Sequence, residues 1–275
     1  PRHHRLICNG MALDPNLATL PGILTSAGYR THGVGKHHLQ PILAPEKFAM
    51  PESIAFWNRE TAKEWTGPYF GFQSVEFVIG EADTAAEAGH YANWLKKNYP
   101  DAAGLLSADA ALEPRPHDLD EVWKSAIPAE LHYNSWITER AVSFIKQTST
   151  PFFLFVSFPD PHHPFQAPQP YCDRYDLDEV PLPQFVPGEL EQMPSYYLEI
   201  SRSSGQKFLQ SYWESSEDSE QGFLLQTDDL QETSLRQAIA LTYGMIEMID
   251  DCVGRIFEAL SEGGLEEDTI ILFTS

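Results

Sequence analysis

Apolar and polar positions along this chain alternate in ways that predict helices and strands in turn. Residues 134–147 set Trp136, Ile137, Ala141, Phe144 and Ile145 on one side of a helix. Residues 235–261 do the same over a longer span, with Leu241, Met245, Met248, Ile249, Val253, Ile256, Phe257 and Leu260 as the stripe and Gly263-Gly264 as the stop. In that setting the two methionines are core residues. Residues 87–98 predict a short helix carrying Tyr91, Trp94 and Leu95. Near the start, Thr19 is suited to cap a helix with Pro21 in its first turn, Leu20, Ile23, Leu24 and Ala27 on one face and Gly28 at its end.

The strand signals fall between these helices. Residues 30–35 read as a short strand, and residues 74–79 as another with Val75, Phe77 and Ile79 on one side. Residues 152–158 are a nearly unbroken apolar run, which suits a strand buried on both faces of a parallel sheet. Residues 269–273 predict a last strand. Helices alternating with buried strands make this an α/β chain with parallel crossovers. Two stretches lack a period. Residues 40–73, rich in Pro, Gly and aromatics, are expected to be irregular surface; residues 165–235, with an acidic patch at 214–220, are expected to form a long insertion or lid.

Composition narrows the function. A chain of 275 residues can bury one substantial core, so residues 1–275 are taken as a single domain, with irregular insertions near 40–73 and 165–235. The formal net charge of −22 argues against nucleic acid or an anionic membrane as partner, while still permitting a local basic pocket. No run approaches the roughly 18 apolar residues that a membrane span needs. Pro1-Arg2-His3-His4-Arg5 does not open a signal peptide, and the compartment, cytoplasmic or periplasmic, stays open, as does the oligomeric state. Cys8, Cys172 and Cys252 show no CxxC pairing and suggest neither a zinc site nor a disulfide framework. Cys8 and Cys172 lie in polar contexts, whereas Cys252 sits in the long helix and is expected in the core.

Candidate chemistry gathers after two strands. Open α/β sheets bind ligands outside the carboxyl ends of their strands. The strand at 30–35 leads into Lys36-His37-His38, and the run at 152–158 leads into Asp160-Pro161-His162-His163-Pro164. The third strand tested against this rule, 269–273, runs out at Ser275. A compact lysine charge and imidazoles that exchange protons near neutral pH suit a tetrahedral anion such as sulfate or phosphate. Solvated lysine and turn-forming histidine pairs are the plainer alternative.

At these residues the chain resembles the sulfatase family of the alkaline-phosphatase-like superfamily. Gly28, Tyr29, Thr31, Val34, Gly35, Lys36 and His38 match the signature Gly-Tyr-x-Thr-x-x-(small/apolar)-Gly-Lys-x-His, with His37 where the family usually has an aromatic. The segment 151–168 resembles the family's buried strand followed by Pro-His-x-Pro, with His162 at the family histidine, and 243–275 resembles its helix and next strand. The resemblance implies an alkaline-phosphatase-like, mostly parallel sheet flanked by helices, and hydrolysis of small-molecule or glycan sulfate esters. It further implies that Lys36 binds the sulfate and the nucleophile, that His38 assists the nucleophile's hydroxyls, and that His162 contacts the sulfate or protonates the leaving oxygen.

The cofactors that the resemblance implies are calcium and a formylglycine made from Cys or Ser in Cys/Ser-x-Pro-x-Arg. That motif does not occur here, and the Asp-His/Asn-Gly metal motif would follow Ser275. The chain is therefore expected to carry the middle of the catalytic domain, incomplete at both ends, with no metal ligand of its own and no activity alone. A phosphonate or phosphate monoester hydrolase on the same scaffold, or an inactive anion-binding remnant, are the alternatives. Among secondary candidates, His90 is expected to pack beside Tyr91 and Trp94, with a substrate role as the alternative. Asp160 is expected to form a turn or to orient a histidine; Asp250 and Asp251 are expected to cap or pair.

Overall fold

A computed structural model describes residues 10–184 and 231–274, with isolated positions at 4, 6, 186, 188 and 192–194. Cys8 and the acidic patch at 214–220 lie outside the described residues. The chain runs α1 (Leu20–Ser26), β1 (Arg30–Gly35), β2 (Ser74–Phe77), α2 (Gly89–Asn98), β3 (Val122–Ser125), α3 (Tyr133–Gln147), β4 (Phe152–Ser157), β5 (Phe165–Pro168) and α4 (Glu232–Glu262), with short 3-10 turns between.

Three strands form a parallel sheet in the order β2-β1-β4. β1 is the middle strand. Its small and polar residues Thr31, His32, Gly33, Val34 and Gly35 are all buried, because both neighbours pair with it and α3 packs across it. His32 shows how a polar residue is accommodated there: its Nδ1 lies 2.8 Å from Ser74 Oγ, and its ring stacks on Phe144 at 4.9 Å. β4, expected to be buried on both faces, is instead at the edge of this sheet among the described residues, and Phe155 is half-exposed. A continuous apolar run announces a strand but does not name its neighbours.

The helices obey their sequence pattern more closely. Trp136, Ile137, Ala141, Phe144 and Ile145 of α3 are buried, and fully burying a residue such as Ile137 is worth roughly 1.5–3 kcal/mol. α4 packs along α3, and Cys252 lies in its core face as expected. The first helix departs from expectation: Leu20 and Ile23 are exposed. α1 is anchored by polar contacts, with the Thr19 hydroxyl donating to Phe70 O at 2.6 Å and Thr25 to Gly71 O at 2.9 Å.

Residues 40–73 are not surface filler. They lack strand and α-helix, yet Trp57, Tyr69 and Phe72 are buried with Val75, Phe77 and Ile79 in a second, aromatic core beside β2. Two four-residue strands, β3 and β5, pair in parallel and rest on α4. β5 lies at the head of the stretch expected to be irregular. There Cys172 is buried rather than polar-facing, beside Ala167, Leu241 and Met245. Residues 269–273 form no strand ladder among the described residues, and Ile270, Leu272 and Phe273 stand exposed. No helix among the described residues is long and apolar enough to cross a membrane.

Candidate functional site

The site begins with a backbone contact. Gly35 ends β1 at φ 99°, and a Cβ there would lie 1.8 Å from Ser157 O. Only glycine therefore lets the Lys36 N–H donate to Ser157 O at 3.1 Å, which fixes the ends of β1 and β4 side by side. Lys36 then leaves the sheet at its carboxyl edge. Its Nζ donates to Oε2 of Glu81 at 2.5 Å, with both side chains largely buried.

Glu81 comes from the third strand end. After β2 the chain turns at Gly80, in the left-handed region at φ 74°, and a short 3-10 turn begins at Ala82, itself at φ 47°. The segment is held down by the buried Ala82, Ala85 and Ala86. From the other side, His162 brings its Nδ1 to 3.5 Å from Oε1 of Glu81. The same Nδ1 lies 2.5 Å from the carbonyl oxygen of His163. A carbonyl can only accept, so Nδ1 carries the hydrogen and Nε2 is left as the atom that can take up or release a proton. Lys36, Glu81 and His162 thus issue from the carboxyl ends of β1, β2 and β4, the place where parallel sheets gather ligands.

His38 shares this electrostatic environment. Its pKa is lowered, first by burial and then by Lys36 and His162, while Glu81 pulls it back up. Its backbone is left-handed at φ 57°, a conformation uncommon outside glycine. Glu52 holds it there: the buried carboxylate accepts the N–H groups of His38, Leu39 and Gln40 at 2.5, 2.7 and 3.2 Å and a further hydrogen bond from Tyr69. Burial raises the pKa of Glu52 against the opposing effect of those four donors.

His37 points away from the site. Its ring sits edge-on to Phe72, Phe77 and Phe155 at 5.4, 5.1 and 5.2 Å and directly over Gly33. Burial pushes its pKa down to about 4, and Nε2 has no hydrogen-bond partner, so the imidazole serves as an aromatic filler. Asp160 stands in the turn after β4, as expected, and its side chain is buried. The Tyr133 hydroxyl and Asn134 Nδ2 donate to its two oxygens, and burial still pushes its pKa up to about 7. His163 Nδ1 lies 3.8 Å from Oε2 of Glu121. Burial moves that histidine down to about 4 and that carboxylate up to about 7, so the contact is no full ion pair at neutral pH.

The sequence profile of the sulfatase family matches residues 11–275. The chain belongs to the sulfatase family. It is 26% identical over 271 residues to an arylsulfatase of Clostridium perfringens, covering 94% of this chain and 46% of that protein. Over 157 residues it is 34% identical to the multifunctional alkaline phosphatase superfamily protein PehA of Trinickia caryophylli, covering 55% of this chain and 28% of that one. It superposes on the phosphonate monoester hydrolase of Agrobacterium radiobacter with a TM-score of 0.67 at 20% identity, over 97% of this chain and 48% of that chain. The fold is the alkaline-phosphatase-like α/β fold, and the chain spans less than half the length of these relatives.

Within this sulfatase-family chain, two acidic residues of the site escape a reading of the sequence. Glu81 lies just beyond the strand read at 74–79, and the rule that ligands gather at strand ends finds it once that strand is included. Glu52 carries no sequence signal, because it sits in an aperiodic stretch and acts through backbone amides. His90 is structural: its Nδ1 accepts from Phe77 N and its Nε2 donates to Trp65 O, each at 2.8 Å, and its ring lies against Trp57 rather than Trp94. Asp251 accepts from the Tyr171 hydroxyl at 2.8 Å. Among the described residues no three His, Cys, Asp or Glu side chains are grouped so that they could hold a metal ion. Glu81 and Asp160 are already engaged by Lys36 and by Tyr133 and Asn134.

Proposed function

We propose that this chain is the anion-binding and proton-transferring part of a sulfuric ester hydrolase. The observation that carries the reading is the convergence of Lys36 and His162, from two neighbouring strand ends, on a single carboxylate. Two such groups aimed at one anion suit an ester's tetrahedral group as well as they suit Glu81. In this reading Lys36 holds an anionic oxygen of the sulfate and stabilises charge as the S–O bond breaks. His162, with Nδ1–H fixed on a carbonyl, uses Nε2 to protonate the departing alcohol oxygen. His38, whose pKa is held down, is suited to accept a proton from a hydroxyl of the attacking group. Calcium and formylglycine are implied by the family resemblance; binding and proton transfer are the roles proposed for Lys36, His38 and His162.

A second reading, hydrolysis of phosphonate monoesters on the same scaffold, takes its substrate from the phosphonate monoester hydrolase of Agrobacterium radiobacter, on which the chain superposes with a TM-score of 0.67. The test is turnover of p-nitrophenyl sulfate, phenyl phosphonate p-nitrophenyl ester and p-nitrophenyl phosphate by the complete protein. The sulfatase reading expects the sulfate to have the highest kcat/KM and Lys36→Ala to lower it about 100-fold. Preference for the phosphonate ester would replace the first reading with the second. Anion binding without turnover of any ester would leave only an inactive remnant.

A further inference from the structure

Glu81 takes no part in the proposed chemistry, yet it occupies the centre of the site. One oxygen receives Lys36 at 2.5 Å and the other faces His162 at 3.5 Å. It does not hang from a loose loop. It stands between Gly80 and Ala82, both in the left-handed region, and its carbonyl accepts the Ala85 N–H at 3.3 Å. The next residue, Ala82, is buried and holds the turn against the core.

We propose that Glu81 sets the charge preference of this site, making it select esters that carry one negative charge, such as sulfate monoesters and phosphonate monoesters, over doubly charged phosphate monoesters. The inference rests on the reading of Lys36 and His162 as ligands of an anionic ester group.

The preference comes from the charges gathered around one carboxylate. Lys36 enters from the end of β1, His38 from the turn after it, His162 and His163 from the loop after β4, and Glu121 from the residue before β3. Asp160 lies behind them, within electrostatic reach of both Glu81 and Lys36. His38 and His163 are biased toward the neutral form, so Lys36 is the permanent cation and Glu81 cancels it. An ester entering such a pocket meets little net positive charge. Coulomb energy is linear in charge, so a carboxylate a few ångströms from the ester costs a dianion about twice what it costs a monoanion. Lys36 still supplies directed hydrogen bonds, which a monoanion can use without that doubled penalty.

The test uses two probes of one shape that cannot be hydrolysed, benzenesulfonate with one charge and benzenephosphonate with two at pH 9. Their dissociation constants are measured by calorimetry for the complete protein and for Glu81→Gln and Glu81→Asp, with thermal unfolding to verify folding. Wild type should bind the sulfonate more tightly. Glu81→Gln should tighten phosphonate binding at least about tenfold, with a logarithmic gain about twice that of the sulfonate. Glu81→Asp, which keeps the charge, should retain the wild-type order and shows whether shape alone is responsible. Equal gains for both probes, a loss for both, or an unchanged ratio in Glu81→Gln would overturn the proposal. Failure of every form to bind either probe would remove the anion site and this inference together. The expected probe order in a protein that turns over no ester would overturn only the hydrolase reading.

Discussion

The hydroxyl of Tyr133 donates to Oδ1 of Asp160 at 2.5 Å, joining the first turn of α3 to the loop that bears His162. Asn134 Nδ2 holds the other oxygen at 2.7 Å, and the buried Gln166 reaches the Tyr133 hydroxyl from β5 at 2.9 Å. The loop after β4 is thereby positioned by a fully enclosed polar network, whose members cost free energy if left unpaired.

Replacing Tyr133 with Phe removes both the donor to Asp160 and the acceptor for Gln166. Stability should fall by roughly 1–3 kcal/mol. If the network positions His162, kcat should also fall about tenfold with little change in KM, since the loss is one of alignment. Urea unfolding and steady-state kinetics measure the two effects separately. A stability loss with an unaltered kcat would confine the network to a structural role.

His162→Ala tests the proton-donor role directly. The kcat for an aryl sulfate should drop on the order of 100-fold, while benzenesulfonate affinity changes only about threefold. The drop should shrink for leaving groups of low pKa, which need no proton. A uniform loss across leaving groups would assign His162 to binding instead.

Acid sensitivity arises from the buried histidines. His37 and His90 have pKa values pushed down to about 4 and His132 to about 3, all by burial, so below about pH 6.5 the unfolded chain binds protons that the folded chain refuses. Stability contributed by these neutral rings is present at neutral pH and is lost as pH falls from 6.5 toward 4. Asp160 and Glu121, raised to about 7, act in the opposite direction: the stability they add is complete below their unfolded values near 4 and is lost as pH rises through 7. With His163, also lowered to about 4, the depressed histidines outnumber the raised carboxyls Asp160, Glu121 and Glu52, so the urea midpoint should fall between pH 6.5 and pH 5. His37→Phe, which suits the aromatic cage, should lower that slope by about one proton, or about 1.4 kcal/mol per pH unit. An unchanged slope would mean that the ring is protonated in the fold.

Glu52→Gln replaces a carboxylate that accepts three backbone amides with a group that presents its own donors to them. A loss of roughly 2–4 kcal/mol is expected, since buried N–H groups are left unpaired. The loop holding His38 should lose amide-exchange protection at His38, Leu39 and Gln40 before the rest of the protein unfolds. Uniform loss of protection would argue against a local role.

The parts of the fold legible in the sequence are those whose pattern is local. α3 and α4 can be placed within a few residues because a buried stripe repeats every three to four positions, and β1 because Gly28 and Gly35 bracket it. β3 and β5 cannot, since four residues such as Val122–Ser125 carry no period and owe their strand form to each other. Residues 40–73 mislead for the same reason: Trp57, Tyr69 and Phe72 are buried by tertiary packing that no helix or strand pattern announces. Lys36, His38 and His162 are conspicuous because they follow strands and lie in motif-like runs. Glu81 is not, although the strand-end rule that singles out the others applies equally to the strand before it. Carboxylates are so common in this acidic chain that their type alone is no signal.

Gly35 has a bearing on how such a site could be redesigned. The spacing of the two strand ends that lead to Lys36 and to the His162 loop is set by a main-chain contact, which acts as a fixed frame. Lys36, Glu81 and His162 can then be exchanged as a set, retuning the pocket for a different leaving group or charge while the spacing persists. A library that varies those three positions explores chemistry. One that also varies Gly35 would mostly sample pockets whose walls no longer meet.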